Sequence, residues 1–414
     1  MSPLRLILRE KAGSLGDDLR RATRLREELV AALAHVLGAP REVRLGAAVV
    51  AGAQLALVPR DADLLNGLGA VVRRLDGRGI SVALDRRLRP IGRGHQLGPR
   101  PFPRPIWRLM ARHGKRQVAI VVLGPDDVVP EWAFKARLDR YDATSPSRKT
   151  PRQLGEHEPG KTENDDTTLL ARVASDVADP PDIRIWSMRA AYVWDSMVAI
   201  DFLMNAFPEV TKVLATNSVI PRDWDPPPGM VQDGFSDLVT HAREHGIAFF
   251  AAAGDNGATE SKEVVGPAAF PSALAVGGWA QPDADADRGP DGDDYVHAES
   301  SWGPPKPEFL GSWTRGGGNG TSAAVGEPAG ALALVLHTDP EIALEEALEQ
   351  VRGACVRVRV QDGAPELVHP AGAIHVPNLR SRVRDARWRR DVDALLMRAD
   401  RRIVQPLAAL LRPR

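Results

Sequence analysis

GGGNGTSAAVGEPAGALAL, residues 316–334, is the stretch that indicates the fold and a candidate reactive residue. A run of glycines leads to Thr321 and Ser322, and small residues at helical spacing follow. A serine at the start of a helix suits a nucleophile, because free amides and the helix dipole there stabilise an oxyanion. Three other interpretations stay open: Ser322 as a simple N-cap, the glycines as a tether, or a phosphate loop, which the missing lysine after Gly320 disfavours.

The composition is that of a globular protein of two or three domains, with 414 residues, 43% hydrophobic and 26% charged. The 54 basic and 54 acidic residues give a formal net charge of zero, so the whole molecule has no electrostatic bias toward nucleic acid. The single cysteine, Cys355, excludes an intramolecular disulfide, and we expect a buried, inert thiol. Zinc spacings, dinucleotide fingerprints and nucleic-acid motifs are missing from the sequence, so we expect no metal, no cofactor and no nucleic-acid partner.

The chain divides by pattern into four parts. Residues 1–91 have a β-α-β-β-α-β order, which predicts a small ferredoxin-like α+β domain. Residues 92–116 are rich in Gly, Pro, Arg and His, as in an exposed linker. Residues 117–378 alternate strands and helices, which predicts a doubly wound, mostly parallel α/β sheet with its chemistry at the carboxyl ends of the strands. Residues 379–414 predict a basic amphipathic helix that either docks on its own domain or contacts an anionic membrane or a partner.

The cell compartment is predicted from two missing signals. The first ten residues lack the apolar core of a signal peptide, and the sequence has no apolar run of about 18 residues. We therefore expect a cytoplasmic protein. The aspartates of residues 283–294 are expected to be solvated rather than to bind calcium, because Arg288 stands where the sharp-turn glycine of a calcium loop belongs.

Two further stretches connect residues 316–334 to a known family. They are IAFFAAAGDNG, residues 247–257, and PAAFPSALAVGG, residues 267–278. In this order the three stretches resemble the oxyanion strand, the proline-containing segment and the Gly-Thr-Ser-x-Ala-x-Pro signature of subtilases, with Gly326 at the proline position. The resemblance covers residues 117 to about 378.

The subtilase resemblance implies a serine endopeptidase of subtilisin type that acts on a peptide or protein substrate. Ser322 would be the nucleophile, and Gly254, Gly320 and Thr321 would line the substrate site. Asn217 and Ser218 resemble the edge that binds an extended peptide by β-addition. The N-terminal domain would be an inhibitory propeptide, which assists folding and blocks the cleft.

The partners of the serine differ from the subtilase pattern. The acid of that family follows the first apolar strand, and here Val122 falls at its position. The histidine that opens a helix in that family is matched by Asp165, followed by Asp166. A plainer interpretation makes these two aspartates helix caps. Asp126, just after the first strand, is expected to be solvated.

Sedolisins share the fold but carry a carboxylate at the histidine position and an aspartate in the oxyanion hole. Val122, Asp165 and Asp255 resemble that set, because Asp255 stands where ordinary subtilases have asparagine. The sedolisin glutamate–aspartate pair, four residues apart on one helix, has no counterpart here: Leu169 follows Asp165 at that spacing. A protonated aspartate donates a hydrogen bond to an oxyanion only at low pH or with a raised pKa.

Two functions therefore remain open from the sequence. The first is an atypical serine endopeptidase with Ser322 as nucleophile, Asp165 or Asp166 as base and Asp255 in the oxyanion hole. The second is a pseudoprotease that uses the groove and the N-terminal domain for binding or regulation. An unperturbed aspartate has a pKa near 3.9, so it activates serine poorly at neutral pH, and losing a proper base slows such enzymes by about 10⁴.

Overall fold

Two sheets carry the fold of the chain. The computed structural model describes residues 4–11, 19–48, 54–90, 117–126, 128, 138–145, 150–154, 166–178, 182–220, 234–257, 263–280, 290, 294–302, 306–314, 320–360, 372–375, 378–379 and 381–383. The predicted linker, Asp165, most of the predicted C-terminal helix and most of the acidic loop lie outside these residues. Within them, no helix is both long and apolar enough to cross a membrane.

The first sheet belongs to an N-terminal unit, which we define by the elements β1 (Leu4–Glu10), α1 (Leu19–Leu37), β2 (Arg44–Ala48), β3 (Gln54–Val58), α2 (Ala62–Asp76) and β4 (Ile80–Leu84). Its four strands are antiparallel in the order β2-β3-β1-β4, the ferredoxin-like arrangement that the sequence order predicts. Side chains of β1 alternate between two faces. Leu6 and Leu8 are buried in the apolar core that the sheet forms with its two helices. Arg5, Ile7 and Arg9 therefore lie on the other face.

The second sheet is the main sheet, and it has twelve strands. Eight of them are β6 (Gln117–Gly124), β7 (Leu138–Asp142), β9 (Arg184–Arg189), β10 (Val210–Thr216), β12 (Ala248–Ala252), β13 (Leu274–Ala280), β15 (Phe309–Ser312) and β18 (Gly372–Ile374). These eight are parallel in the order β18-β15-β13-β12-β10-β6-β9-β7. The four short strands at its borders are β8 (Arg152–Gln153), β14 (Tyr295–Val296), β16 (Cys355–Val356) and β17 (Arg359–Val360).

Helices cover both faces of the main sheet. They are α3 (Asp166–Ala178), α4 (Val193–Asn205), α5 (Phe235–Glu244), α6 (Thr321–Ala324), α7 (Gly326–Thr338) and α8 (Leu344–Gly353). Alternate residues of β6 serve the two faces: Ile120 packs in the core with α3 and α7, and Val121 in the core with α4 and α5. A strand buried on both faces reads as a continuous apolar run, which is why β6 was predictable. The predicted doubly wound α/β sheet is confirmed.

Candidate functional site: the serine helix and a peptide groove

Ser322 is the second residue of α6 and is buried. The helix begins after Gly320, whose φ of +115° lies in the region that favours glycine. A Cβ at Gly320 would also stand 2.7 Å from Oδ2 of Asp255. The glycine before the Thr321-Ser322 pair is therefore required both by the backbone turn and by the close approach of a carboxylate.

Asp255 is held against the start of α6. Its Oδ1 accepts hydrogen bonds from the Thr321 amide at 3.0 Å and from the Thr321 hydroxyl at 2.8 Å. The Gly254 amide in turn donates to that hydroxyl at 3.2 Å. The structure thus brings the segment after β12 to the serine helix, with Gly254, Asp255, Gly320 and Thr321 in contact. In this arrangement Oδ1 is an acceptor, so donation to an oxyanion would fall to a protonated Oδ2.

The first turn of α3 lies beside Ser322. A Cβ at Gly326 would be 2.9 Å from the Leu170 carbonyl oxygen, and one at Gly330 would be 2.4 Å from that of Ala174. A step of four residues on α7 therefore matches a step of four on α3, so the helices run parallel and in register. Ser322 precedes Gly326 by four residues, and Asp166 precedes Leu170 by four. The same register therefore places Ser322 at the height of Asp166, at the start of α3.

The two carboxylates predicted at the start of α3 are Asp165 and Asp166. Asp166 is the first residue of α3 and is almost fully buried. Asp165 lies outside the described residues. Apolar contact among Leu169, Val173 and Ala323 fixes the separation of α3 and α6 close to Ser322.

Val122 occupies the strand position at which subtilases carry the acid, and it is fully buried in the apolar core. Gly124, the last residue of that strand, lies against a hydroxyl and an amide. A Cβ at Gly124 would lie 2.6 Å from the Thr167 hydroxyl and 3.2 Å from Oδ1 of Asn217. Both side chains are buried, and these polar atoms have no hydrogen-bond partner among the described residues. Sequence reasoning missed Thr167, although its place one residue after Asp166 was a usable signal.

Two predictions about acidic residues are wrong. Asp126 was expected to be solvated but is 8% exposed, because the segment after β6 folds back over Ser187 of β9, whose hydroxyl accepts from the Val128 amide at 3.3 Å. Asp294, the member of the acidic stretch that the structure describes, is buried as well. Its carbonyl accepts the Arg359 amide at 2.8 Å, next to the β14–β17 pairing.

A peptide groove runs between two segments of the main domain, and part of this chain occupies it. We call residues 85–90 the threaded segment; they follow β4 directly. On one side, the Leu88 amide donates to the Ala191 carbonyl at 2.8 Å, and the Val193 amide donates to the Arg86 carbonyl at 2.9 Å. On the other side, β5 (Arg89–Pro90) pairs antiparallel with β11 (Ser218–Val219). Ser218 thus lies on an edge that pairs an extended segment by β-addition.

The N-terminal unit also contacts α4 through buried charge. The Arg5 guanidinium is 2.6 Å from Asp85 and 3.3 Å from Asp195, and it stacks 3.8 Å from the centre of the Tyr192 ring. Asp85 accepts the Trp194 amide at 2.8 Å, so it caps α4. We call Arg5, Asp85 and Asp195 the buried charge network.

Asp195 has a perturbed titration. Burial raises its pKa from the usual 3.8 to about 6, although Arg5 and two backbone amides oppose that rise. Those amides, of Ala191 and Tyr192, donate to its Oδ2 at 3.1 and 3.0 Å. At the other end of the strand Arg9 pairs with Asp237 of α5, where both side chains are partly exposed.

Two side chains near the edges of the main sheet are structural. His297 stacks on Trp313, with ring centres 3.9 Å apart, and burial lowers the pKa of this histidine. The carbonyl of Trp313 accepts a hydrogen bond from the Gly320 amide at 3.0 Å, so the stacked pair is linked to the residue that precedes α6. Cys355 is half-buried, where the sequence predicted a buried residue. Desolvation raises the pKa of its thiol to about 12, which favours the unreactive thiol over the thiolate.

Comparison with known proteins gives a fold. No protein-family model and no curated protein sequence matches the chain. Fervidolysin from Fervidobacterium pennivorans, a keratinolytic enzyme related to subtilisin, aligns with a TM-score of 0.55 and 13% identity over 92% of this chain, which spans 61% of that protein. The epidermin leader peptide processing serine protease EpiP from Staphylococcus aureus aligns with a TM-score of 0.55 and 12% identity, over 93% of this chain and 99% of its own. The chain therefore has the fold of subtilisin-like serine proteases.

Proposed function

We propose that this protein is a serine endopeptidase that hydrolyses peptide bonds, with Ser322 as nucleophile. The observation that carries the proposal is the threaded segment, an extended peptide between two segments of the main domain. It lies antiparallel to Ser218–Val219, directly after the end of β10, and α6 stands at the same end of the main sheet. Substrate would take the place that Leu88, Arg89 and Pro90 hold.

The base in this proposal is a carboxylate at the start of α3, Asp165 or Asp166. The register of α3 with α7 supports it, because it sets Ser322 level with that turn. Asp255 would stabilise the oxyanion through a proton on Oδ2. Because the oxyanion role needs a proton on Asp255, we expect low activity that rises toward acid pH, in the manner that the sedolisin resemblance implies, until the base carboxylate is itself protonated.

The N-terminal unit acts, in this proposal, as a tethered inhibitor. Its threaded segment fills the groove, the buried charge network holds the unit on α4, and Arg9 pairs with Asp237 of α5. A leader segment of a precursor peptide is one substrate that fits, since EpiP, of similar fold, is a leader peptide processing protease. Removal of the unit would then follow a cut in residues 92–116.

The proposal is tested by labelling with a fluorophosphonate probe and by mass spectrometry of self-cleavage between pH 3 and pH 8. We expect labelling and a cut within residues 92–116, both lost in Ser322→Ala and kept in Ser236→Ala, a serine of α5, which packs on the opposite face of the main sheet from α6. A full-length product that stays intact and unlabelled over the whole pH range would contradict the endopeptidase.

A second candidate is a pseudoprotease that binds peptides or a partner protein without cutting them. Two observations favour it: Val122 stands at the strand position at which subtilases carry the acid, and Oδ1 of Asp255 is engaged as an acceptor by Thr321. This candidate predicts that Ser322→Ala changes neither the integrity of the chain nor its binding of peptides. Peptide binding without labelling would select it over the endopeptidase.

A further inference from the structure

Two histidines stand together at the carboxyl end of α5. His241 belongs to the last turn of the helix, and His245 is the residue that follows it. The His245 amide still donates to the His241 carbonyl at 3.1 Å, so the two residues keep helical spacing and are neighbours on the surface. Their ring centres are 4.2 Å apart. The His241 side chain is 21% exposed and His245 is exposed, so small ions in solution reach both rings.

One nitrogen of each ring is held by a neighbouring group. Nδ1 of His241 lies 3.3 Å from Oε2 of Glu244, and Nδ1 of His245 lies 2.9 Å from the carbonyl oxygen of His241. Both neighbours are acceptors, so in the neutral rings each Nδ1 carries the proton and each Nε2 keeps a lone pair. Metal-binding histidines have this arrangement, in which the second nitrogen donates to a carboxylate or a backbone carbonyl.

The separation of the rings fits one shared ion. Two imidazoles bound to the same ion at about 2.1 Å and at a right angle have ring centres about 4.5 Å apart. The observed 4.2 Å is close to that value. A right angle between nitrogen ligands is typical of tetragonal Cu²⁺ and Ni²⁺, whereas tetrahedral Zn²⁺ needs a wider one. The carboxyl end of a helix also carries partial negative charge, which favours a cation there.

We propose that His241 and His245 form a binding site for a divalent transition-metal ion, with Cu²⁺ preferred. The ligands are the two Nε2 atoms, and Glu244 orients the His241 ring. Among the described residues no group of three or more histidine, cysteine or acidic side chains could hold a metal, so water takes the other positions of the ion. A pair of histidines four residues apart is shorter than a complete zinc motif, and the sequence predicted no metal. The preference for Cu²⁺ follows its place in the Irving–Williams order.

The experiment is a titration of the full chain with CuSO₄ at pH 7.5, measured by calorimetry and by electron paramagnetic resonance. We expect His241→Ala and His245→Ala each to weaken Cu²⁺ binding at least tenfold, because the second ligand then no longer acts at high effective concentration. Glu244→Gln should weaken it about tenfold through loss of the orienting carboxylate. The resonance spectrum should show two coordinating imidazole nitrogens in the unsubstituted chain and one in either alanine variant. Ni²⁺ and Zn²⁺ should bind more weakly than Cu²⁺.

His35→Ala is the matched control. His35 is an exposed histidine of α1 with Ala31 and Ala39 four residues away on either side, so its removal should leave Cu²⁺ binding unchanged. Cu²⁺ affinity that either His241→Ala or His245→Ala leaves unchanged would overturn the proposal. A spectrum with a single coordinating nitrogen in the unsubstituted chain would overturn it as well. These measurements need no catalysis, so an inactive Ser322 would not alter them.

Discussion

Replacing Arg5 by alanine should release the N-terminal unit far more than the same change at Arg9. The substitution removes the guanidinium that lies 2.6 Å from Asp85 and 3.3 Å from Asp195, both of them buried. Removing one partner of a buried ion pair costs about 3–5 kcal/mol, because the remaining charge is uncompensated. The stacking on Tyr192, worth about 1 kcal/mol, is lost as well. We take roughly 4 kcal/mol, which is about a thousandfold in the docking equilibrium.

Arg9→Ala is the matched control for Arg5→Ala, because both arginines lie on the same face of the same strand. The side chains of Arg9 and its partner Asp237 are 27% and 55% exposed. Exposed ion pairs contribute about 0–1 kcal/mol, so this variant should change docking less than about fivefold. The contrast between the two variants separates a buried charge effect from a general loss of arginine.

Trypsin cleavage of the threaded segment measures the docking equilibrium directly. The bonds after Arg86 and Arg87 are pinned by backbone hydrogen bonds while the unit is docked. When the N-terminal unit docks again faster than trypsin cleaves, the rate of cleavage follows the population of the undocked form. In a Ser322→Ala background we expect Arg5→Ala to speed cleavage at these bonds about a thousandfold at pH 8. An acceleration below tenfold, or one equal to that of Arg9→Ala, would refute the reasoning.

Four further outcomes are expected. Gly326→Ala should lower the free energy of unfolding by about 1–3 kcal/mol in urea titration, because its Cβ would meet the α3 backbone at 2.9 Å; a neutral effect would contradict the close helix packing. Asp255→Asn should shift fluorophosphonate labelling toward neutral pH, because an amide N–H donates at any pH whereas a carboxyl donates only when protonated. Unchanged labelling would count against Asp255 in the oxyanion hole. Leu88→Asp should free the groove and raise peptide binding, measured by fluorescence anisotropy, since it buries a charge in the interface. Cys355, with a pKa raised to about 12, should react with iodoacetamide at pH 8 at least a hundredfold more slowly in the folded chain than in urea; equal rates would refute its desolvation.

Much of the fold could be predicted because its signals are local. β6 is a continuous apolar run, and its burial on both faces follows from that pattern. β7, with the sequence LDRYD, was not predicted as a strand. Its charged residues are satisfied from elsewhere in the chain: Asp139 accepts the indole N–H of Trp186 at 3.1 Å. Such a partner, 47 positions away, leaves no periodic trace in the sequence.

The candidate site was predictable where it rests on short motifs and not where it rests on distant contacts. The serine stretch and the Asp255 segment were both found, and the structure brings them together. Thr167 follows Asp166 directly but was missed, because the residues beside it, Gly124 and Asn217, come from the ends of two separate strands. The partners Arg5 and Asp195 are 190 positions apart, so nothing local in the sequence pairs them.

The threaded segment has a mechanical consequence. From Leu84, the last residue of β4, to Arg89 in the groove is five residues, a span of about 16 Å when extended. Hydrogen bonds of Asp85, Arg86 and Leu88 hold that span at three points along its length. A competing peptide therefore enters only when the whole unit lifts, and its apparent affinity is reduced by the fraction of time that the unit is lifted. If peptides bind in this groove, any change that weakens the buried charge network would therefore also change their apparent affinity.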